Sequence, residues 1–450
     1  MMKQTFLHRA LGISLMLGMA LGTSAQLSLS MEQAQALGVQ HAYDMQRARI
    51  DVEAAKRDVK ELLATGLPQV NASVDLNHFF DLPVSVVPAQ EFNEFAPKDS
   101  VIELAFGTTQ SATAGLNATQ LIFSGSYLVG VKAAKVLADA KALSVESTEL
   151  ETRKAVADAY ATALAAEANV KTLEKAVVLI AGTEEELRAL ALEGLVEAVD
   201  ADQMQLSRQN VQQQLNTARL QADLTKKLLL FQCGLDVNKG VELTDNLIDL
   251  TKESVPASLL GGMDLAWNPR LEEQRQYVAL AELDVMNKRA EGLPQVAAFF
   301  STSAQTFRDP DFDVLEEQAN WYPNQLVGLS INMPIWTSFG GRQRVQKAKL
   351  AVLTAESGLA QMESAARLEF DNAKASFLDA QAALGNAEEQ RDLASRILTR
   401  IELGHKEGVR SSFELNTAQN QLLEAEGNLI GAQLAWLNAQ QRLIASNPQP

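Results

Sequence analysis

The chain has 450 residues, with 39 Lys and Arg against 56 Asp and Glu, for a net charge of −17. Such an acidic balance argues against nucleic acid as a partner, and 47 % hydrophobic residues exclude general disorder. A single cysteine, Cys233, excludes an intrachain disulfide, and the length exceeds one ordinary core, so two units or an elongated fold are expected.

Residues 1–25 are predicted to be a secretory leader. Lys3, His8 and Arg9 precede the apolar run ALGISLMLGMALG (10–22), which is too short to span a bilayer. Thr23-Ser24-Ala25 supplies small residues before a cut after Ala25. No cysteine stands at the expected mature start, so N-terminal lipidation is not expected. No later stretch is apolar enough for a membrane helix.

The next element is a helix over about 30–65, ending in the pentapeptide GLPQV at Gly66–Val70. Glycine and proline stop helices, and Pro68 marks a switch from helix to strand. An alternating strand pair follows at 70–80 and 111–123. Ala72, Val74 and Leu76 form one face, and Ser73, Asp75 and Asn77 the other. Ala112, Ala114, Leu116 and Ala118 alternate likewise. A long helical pair is expected over 126–232, because Val131–Glu193 is rich in Ala, Leu, Glu and Lys and contains no proline. At 1.5 Å per residue such a rod would run to roughly 95 Å, far beyond an average helix. Coiled-coil-like packing is therefore predicted. Cys233 falls at the end of the second helix as an idle thiol.

After a linker at 234–262 the plan repeats. A helix reaches 291, and GLPQV returns at Gly292–Val296 with Pro294 in the switch position. Strands are expected at 296–307 and 325–336, and a second helical pair at 340–446. Shifted by 214, EGLVEAVDADQ (193–203) falls on EGVRSSFELNT (407–417), with Gly194 over Gly408 at the two helical turns. GLPQV repeats at 226, so the difference of 12 residues lies in a longer first loop. The domain reading is 26–233 for the first repeat and 263–450 for the second.

Period-two alternation with one apolar and one small polar face also describes a membrane barrel strand. Phe79, Phe80, Phe123, Phe299, Phe307, Trp321, Tyr322 and Trp336 cluster near the strand ends, as an aromatic girdle would. Four strands cannot close a barrel, and lipid does not tolerate an open edge. Three chains sharing four strands each would close a 12-stranded transmembrane β-barrel. The expected fold is mostly α with a β membrane portion, internally duplicated, the long helices forming a trimeric α-barrel.

With the two LPQ junctions, QLIFSG (120–125), MPIWTSFGG (333–341) and the paired turns in view, the chain resembles the TolC-like outer-membrane efflux family. The resemblance implies a homotrimeric outer-membrane duct with its helices in the periplasm. Its partners would be a periplasmic adaptor and an inner-membrane transporter, in a tripartite efflux pump or a type I secretion system. It also implies a gate at the helical turns. The family's link arginine falls on Arg410, its aspartate partner on Asp200, and its tyrosine on His405. The two positions of its acidic ring fall on Glu414 and Thr417. The departures at His405 and Thr417 imply a weaker acidic constriction, and a link that depends on pH near histidine's ordinary value of about 6.5.

No phosphate-binding glycine loop or clustered histidines point to an enzyme, a cofactor or zinc. Asp309, Asp311 and Asp313 resemble the start of a calcium loop but lack its glycine and closing glutamate. Two other readings compete. A periplasmic coiled-coil scaffold or adaptor with a small soluble β domain should show one repeat and polar strand faces. An envelope enzyme on a helical scaffold should show a convergent polar constellation.

Overall fold

A computed structural model describes residues 27–92, 95–105, 107–252, 256, 259–263, 268–308 and 320–448. The expected leader and the Asp309–Asp313 loop lie outside them. The elements, in order, are β1 (Leu27–Leu29), α1 (Met31–His41), α2 (Tyr43–Thr65), β2 (Gln69–His78), β3 (Val84–Pro88), β4 (Val101–Ala105) and β5 (Gln110–Phe123). There follow α3 (Gly125–Leu192), α4 (Ala198–Gln232), β6 (Val241–Leu243), α5 (Leu247–Thr251) and α6 (Pro269–Ala290). The chain continues through β7 (Gln295–Arg308), β8 (Tyr322–Asn332), α7 (Gly340–Lys406) and α8 (Ser412–Ser446). The chain forms two compact units, and each takes residues from both sequence repeats.

One unit comprises the chain up to Met45, Glu149–Gly262 and Phe370–Ser446. Its helices pack by heptads. Leu173, Ile180 and Leu187 on α3 recur every seven residues, and so do Met204, Val211 and Ala218 on α4; all six are buried in one cluster. A repeat of 3.5 residues per turn keeps such a stripe facing its partner. On α7, Phe370, Phe377 and Leu384 are buried at the same spacing. Phe377 meets Trp436 of α8 with ring centroids 5.6 Å apart. The alanine-rich stretch of α3 is packed tightly: Ala157, Ala161 and Ala163 are fully buried. A side chain at Gly38 of α1 would meet Val156 at 2.7 Å, so glycine there permits the close approach of α1.

One expectation is corrected in this unit, and the linker gains detail. The helix expected over about 30–65 is broken at Ala42, which leaves the helical region at φ −55, ψ 141. The linker is not plain coil. It contributes β6, which pairs in parallel with β1, and the short helix α5. Tyr160 of α3 fixes this corner. Its hydroxyl donates to Leu29 O at 2.9 Å and accepts from the Asp245 N–H at 3.4 Å. Burial pushes the phenol above the ordinary tyrosine range.

The other unit holds Gln46–Thr148 and Met263–Glu369. Its centre is an antiparallel four-stranded sheet in the order β2-β5-β7-β8. The register places Val74, Ala114 and Ala304 in line, then Leu116 with Thr302, Ala118 with Phe300 and Val327, and Ala298 with Leu329. The expected apolar residues of all four strands therefore share one face. Asn71, Ser73, Asp75, Thr113, Gly115, Ser301 and Ser303 share the other. Phe299 belongs to this second face, where its ring packs over Gly328, a site with no room for a Cβ. The first loop contains a hairpin, β3 with β4, that alternation had not marked. The last strand ends at Asn332 rather than near 336. Pro334 has no N–H to continue a ladder, and Ser338 and Phe339 turn the chain at φ 48 and 65.

Candidate functional site

Three features are candidates for function: the sheet face, the two junctions beside it, and the two helical turns. The sheet face comes first. Val74, Val327, Leu329 and Ile331 are each about two-thirds or more exposed in one chain, Val327 reaching 77 %. Soluble proteins rarely leave so continuous an apolar surface in water. Among the described residues, no helix is long and apolar enough to cross a membrane. Among the described residues, the edges β2 and β8 each have only one neighbour.

The junctions are built alike. At the first, Gly66 N–H donates to Leu63 O and Leu67 N–H to Ala64 O; at the second, Gly292 N–H donates to Arg289 O and Leu293 N–H to Ala290 O. Pro68 and Pro294 then release the chain into β2 and β7. The copies differ in what covers them. Tyr127 of α3 closes on Gly66, where a Cβ would lie 2.3 Å from its hydroxyl. Leu293 packs against Gly125, where an added Cβ would lie 2.8 Å from its Cδ1.

The turns are also built alike. Gly194 and Gly408 have φ 76 and 75, the left-handed region that glycine enters freely. Leu195 N–H reaches back to Leu190 O and Gly194 N–H to Ala191 O; Val409 and Gly408 repeat this onto Gly404 and His405. Both are Schellman endings. The helices that follow start differently. Ser411 accepts from Glu414 N–H at 3.3 Å while Glu414 accepts from Ser411 N–H at 2.9 Å, a capping box for α8. Glu197 gives α4 no side-chain cap.

The candidate gate residues all lie at these turns. Arg410 donates to Glu414 at 2.7 Å, and among the described residues no ion pair joins it to Asp200. Asp200 sits half-buried in the first turn of α4. His405 Nδ1 is 3.1 Å from Arg410 O. Thr417 donates to Phe413 O within its own helix. The Ser411 N–H and then Arg410 hold the Glu414 carboxyl below its ordinary value. A depressed carboxyl stabilises above its unfolded pKa, and that contribution is lost as pH falls through the folded one. The first turn of α8 is thus expected to lose amide protection, taken relative to the intrinsic exchange rate at each pH, as pH falls below the ordinary carboxylate range of about 4. Unchanged protection at Glu414 and Leu415 would remove the box.

Sequence reasoning missed Glu184. Its side chain is 6 % exposed and bonds Arg188 at 2.9 Å on its own helix and Arg208 at 2.5 Å on α4. Its sequence neighbours are acidic too, which hid the one that turns inward. Gln419, 4 % exposed, donates to Thr183 Oγ1 at 3.1 Å and marks a polar contact between α8 and α3. Among the described residues no His, Cys, Asp and Glu group could hold a metal. Burial pushes the Cys233 thiol up to about 11, which keeps it protonated.

An apolar-faced sheet with open edges, joined twice to long helical hairpins, defines a membrane-embedded β-and-helix protein. The chain belongs to the outer membrane efflux protein family, whose description matches residues 35–230 and 261–446. Several solved structures share its fold, these three among them. VceC, an outer membrane protein of Vibrio cholerae, is 18 % identical, with a TM-score of 0.69 over 92 % of this chain and 95 % of its own. The Campylobacter jejuni CmeC outer membrane channel is 17 % identical, with a TM-score of 0.69 over 92 % and 85 %. The open state of the Neisseria gonorrhoeae MtrE outer membrane channel is 15 % identical, with a TM-score of 0.69 over 92 % and 88 %. None of the curated proteins matches the chain. As a member of this family the chain is an outer-membrane transport protein and not an enzyme.

Proposed function

We propose that the chain is one third of a homotrimeric exit duct, part of a tripartite efflux pump or a type I secretion system. The observation that carries this is the sheet: one apolar face, one small polar face, and two unpaired edges. In lipid each unpaired edge group costs several kcal/mol. β8 of one chain pairing with β2 of the next satisfies both edges, and three copies close twelve strands. The polar face then lines the pore. The helical hairpins stand in the periplasm and continue the tube.

The turns form the periplasmic end. Leu192, Leu195, Val409 and Phe413 are exposed there, Leu192 at 84 %, and offer an adaptor an apolar surface. Arg410 and Asp200 are the lock pair. Within one chain Arg410 rests on Glu414, and it turns to the neighbouring hairpin's Asp200 when the end closes. An exposed pair contributes only about 0–1 kcal/mol, so three of them bias a closed state that still opens readily.

Light scattering of the detergent-extracted envelope protein tests the architecture. A detergent-dependent trimer is expected, and a monomer or dimer soluble without detergent would replace the duct with the scaffold reading. Arg410→Glu tests the lock in planar bilayers. Reversed charge faces both Glu414 and Asp200, so single-channel conductance is expected to rise severalfold. A trimer with unchanged conductance would discard the lock while leaving the duct in place.

A further inference from the structure

The second passage from strand to helix differs from the first in a way the fold does not require. Between Gly340 and Ala355 the chain carries Arg342, Arg344, Lys347 and Lys349 and no acid, in a protein of net charge −17. Shifted by 214, the first copy has Leu128, Gly130, Ala133 and Lys135 at those places. Both segments begin a long helix. Three of the four cations are therefore not needed to build one.

Arg344 is engaged by Glu291 at 3.1 Å. Arg342, Lys347 and Lys349 are exposed, while Ala348 between them is buried. Just before them stand Ile335, Trp336 and Phe339, with Ile335 at 87 % and Trp336 at 71 % exposure. The Trp336 and Phe339 rings meet edge to face with centroids 5.1 Å apart. The turn beneath them is fixed by Gly340 N–H donating to Thr337 O at 2.8 Å and by two residues in the left-handed region. The aromatic pair is thus held at the end of the apolar sheet face, within about three helical turns of the cations.

That order, aliphatic, then aromatic, then cationic, is the order of chemistries met on leaving a bilayer: acyl chain, ester region, phosphate. We propose that the second junction binds the headgroup of an anionic phospholipid in the leaflet on the helical side of the sheet. Arg342 and Lys349, seven residues apart and so on one face of α7, meet the phosphodiester, and Trp336 and Phe339 the glycerol boundary. A soluble anion would leave the aromatic half without a role. The inference rests on the membrane reading above and adds to it a lipid preference confined to one of two repeats.

The test uses the purified full chain in nonionic detergent, titrated with phosphatidylglycerol or phosphatidylcholine, with bound lipid counted by native mass spectrometry. A cation near an anionic headgroup is worth about fivefold in affinity. Phosphatidylglycerol is expected to be retained about tenfold or more over phosphatidylcholine at low salt. The preference should vanish in the Arg342→Gln, Lys349→Gln double variant, survive in Lys347→Gln on the other face of α7, and fade at about 1 M salt, where screening reaches only about 3 Å. Trp336→Ala should lower retention of both lipids. Equal retention of phosphatidylglycerol by wild type and double variant would overturn the proposal. Particle size is read on the same samples. A detergent-dependent trimer without lipid preference sinks only this inference, and a particle soluble without detergent sinks the duct reading with it.

Discussion

Val327→Arg is expected to abolish assembly in the membrane, whereas Ser303→Arg is expected to be tolerated. The two residues stand at mid-length on neighbouring strands but on opposite faces, as the register shows. Val327 is 77 % exposed on the apolar face beside Phe300. An arginine on the lipid face at mid-bilayer costs about 2–4 kcal/mol. In the proposed trimer three copies would raise that to about 6–12 kcal/mol, comparable with the whole stability of a domain. Ser303 points to the small polar face, and its register partner Gly115 carries no side chain to obstruct a longer one. The measurement is the yield of heat-resistant oligomer in the outer-membrane fraction. Equal yields would mean that the apolar face meets protein or water instead of lipid.

The second large effect is expected at Gly234, which ends α4. Its φ is +69, and an added methyl would lie 2.1 Å from the His41 carbonyl oxygen and 2.6 Å from its carbon. Those atoms are backbone and cannot rotate away. The left-handed conformation alone costs a residue with a side chain about 1–2 kcal/mol. With the clash, Gly234→Ala is expected to cost about 3 kcal/mol or more. Gly194 is the control. It has nearly the same φ, +76, but open space around it. Gly194→Ala is expected to cost only the conformational share. Thermal melts of the detergent-solubilised protein separate the two cases. Similar losses at both sites would show that His41 and Ala42 shift easily, and that the close approach carries no weight.

Gly234 also explains what the sequence could not display. The helix-to-strand switches were legible because glycine, proline and a change of period all speak locally at Gly66 and Gly292. The face of each strand was legible because a period of two needs no partner. The break at Ala42 was not, because the chain there packs against a residue nearly two hundred positions away, Gly234, whose missing side chain permits the close approach to His41. The β3–β4 hairpin was missed because Val84–Pro88 and Val101–Ala105 are too short for alternation to stand out. The partner of Arg410 was half legible. Ser411-x-x-Glu414 reads as a capping box, yet Glu414 was weighed only as part of an acidic ring. In the structure it also starts α8. Glu184 was invisible because sequence does not say which member of an acidic run turns inward.

The pairing of β1 with β6 has a consequence for the order in which the chain takes shape. Leu27 must find Val241, and Met31 N–H must find Asp245 at 2.7 Å, across more than two hundred intervening residues. Closing so long a loop is entropically unfavourable and slow, while α3 and α4 need only neighbours along the chain. The amino-terminal strand therefore docks late, onto a helical hairpin already formed. Pulse-labelled hydrogen exchange should show Leu29 protected after Ala161 and Leu215. Until then the front of the chain stays unattached, so a newly exported molecule could still be cut or captured there after much of its first repeat had folded.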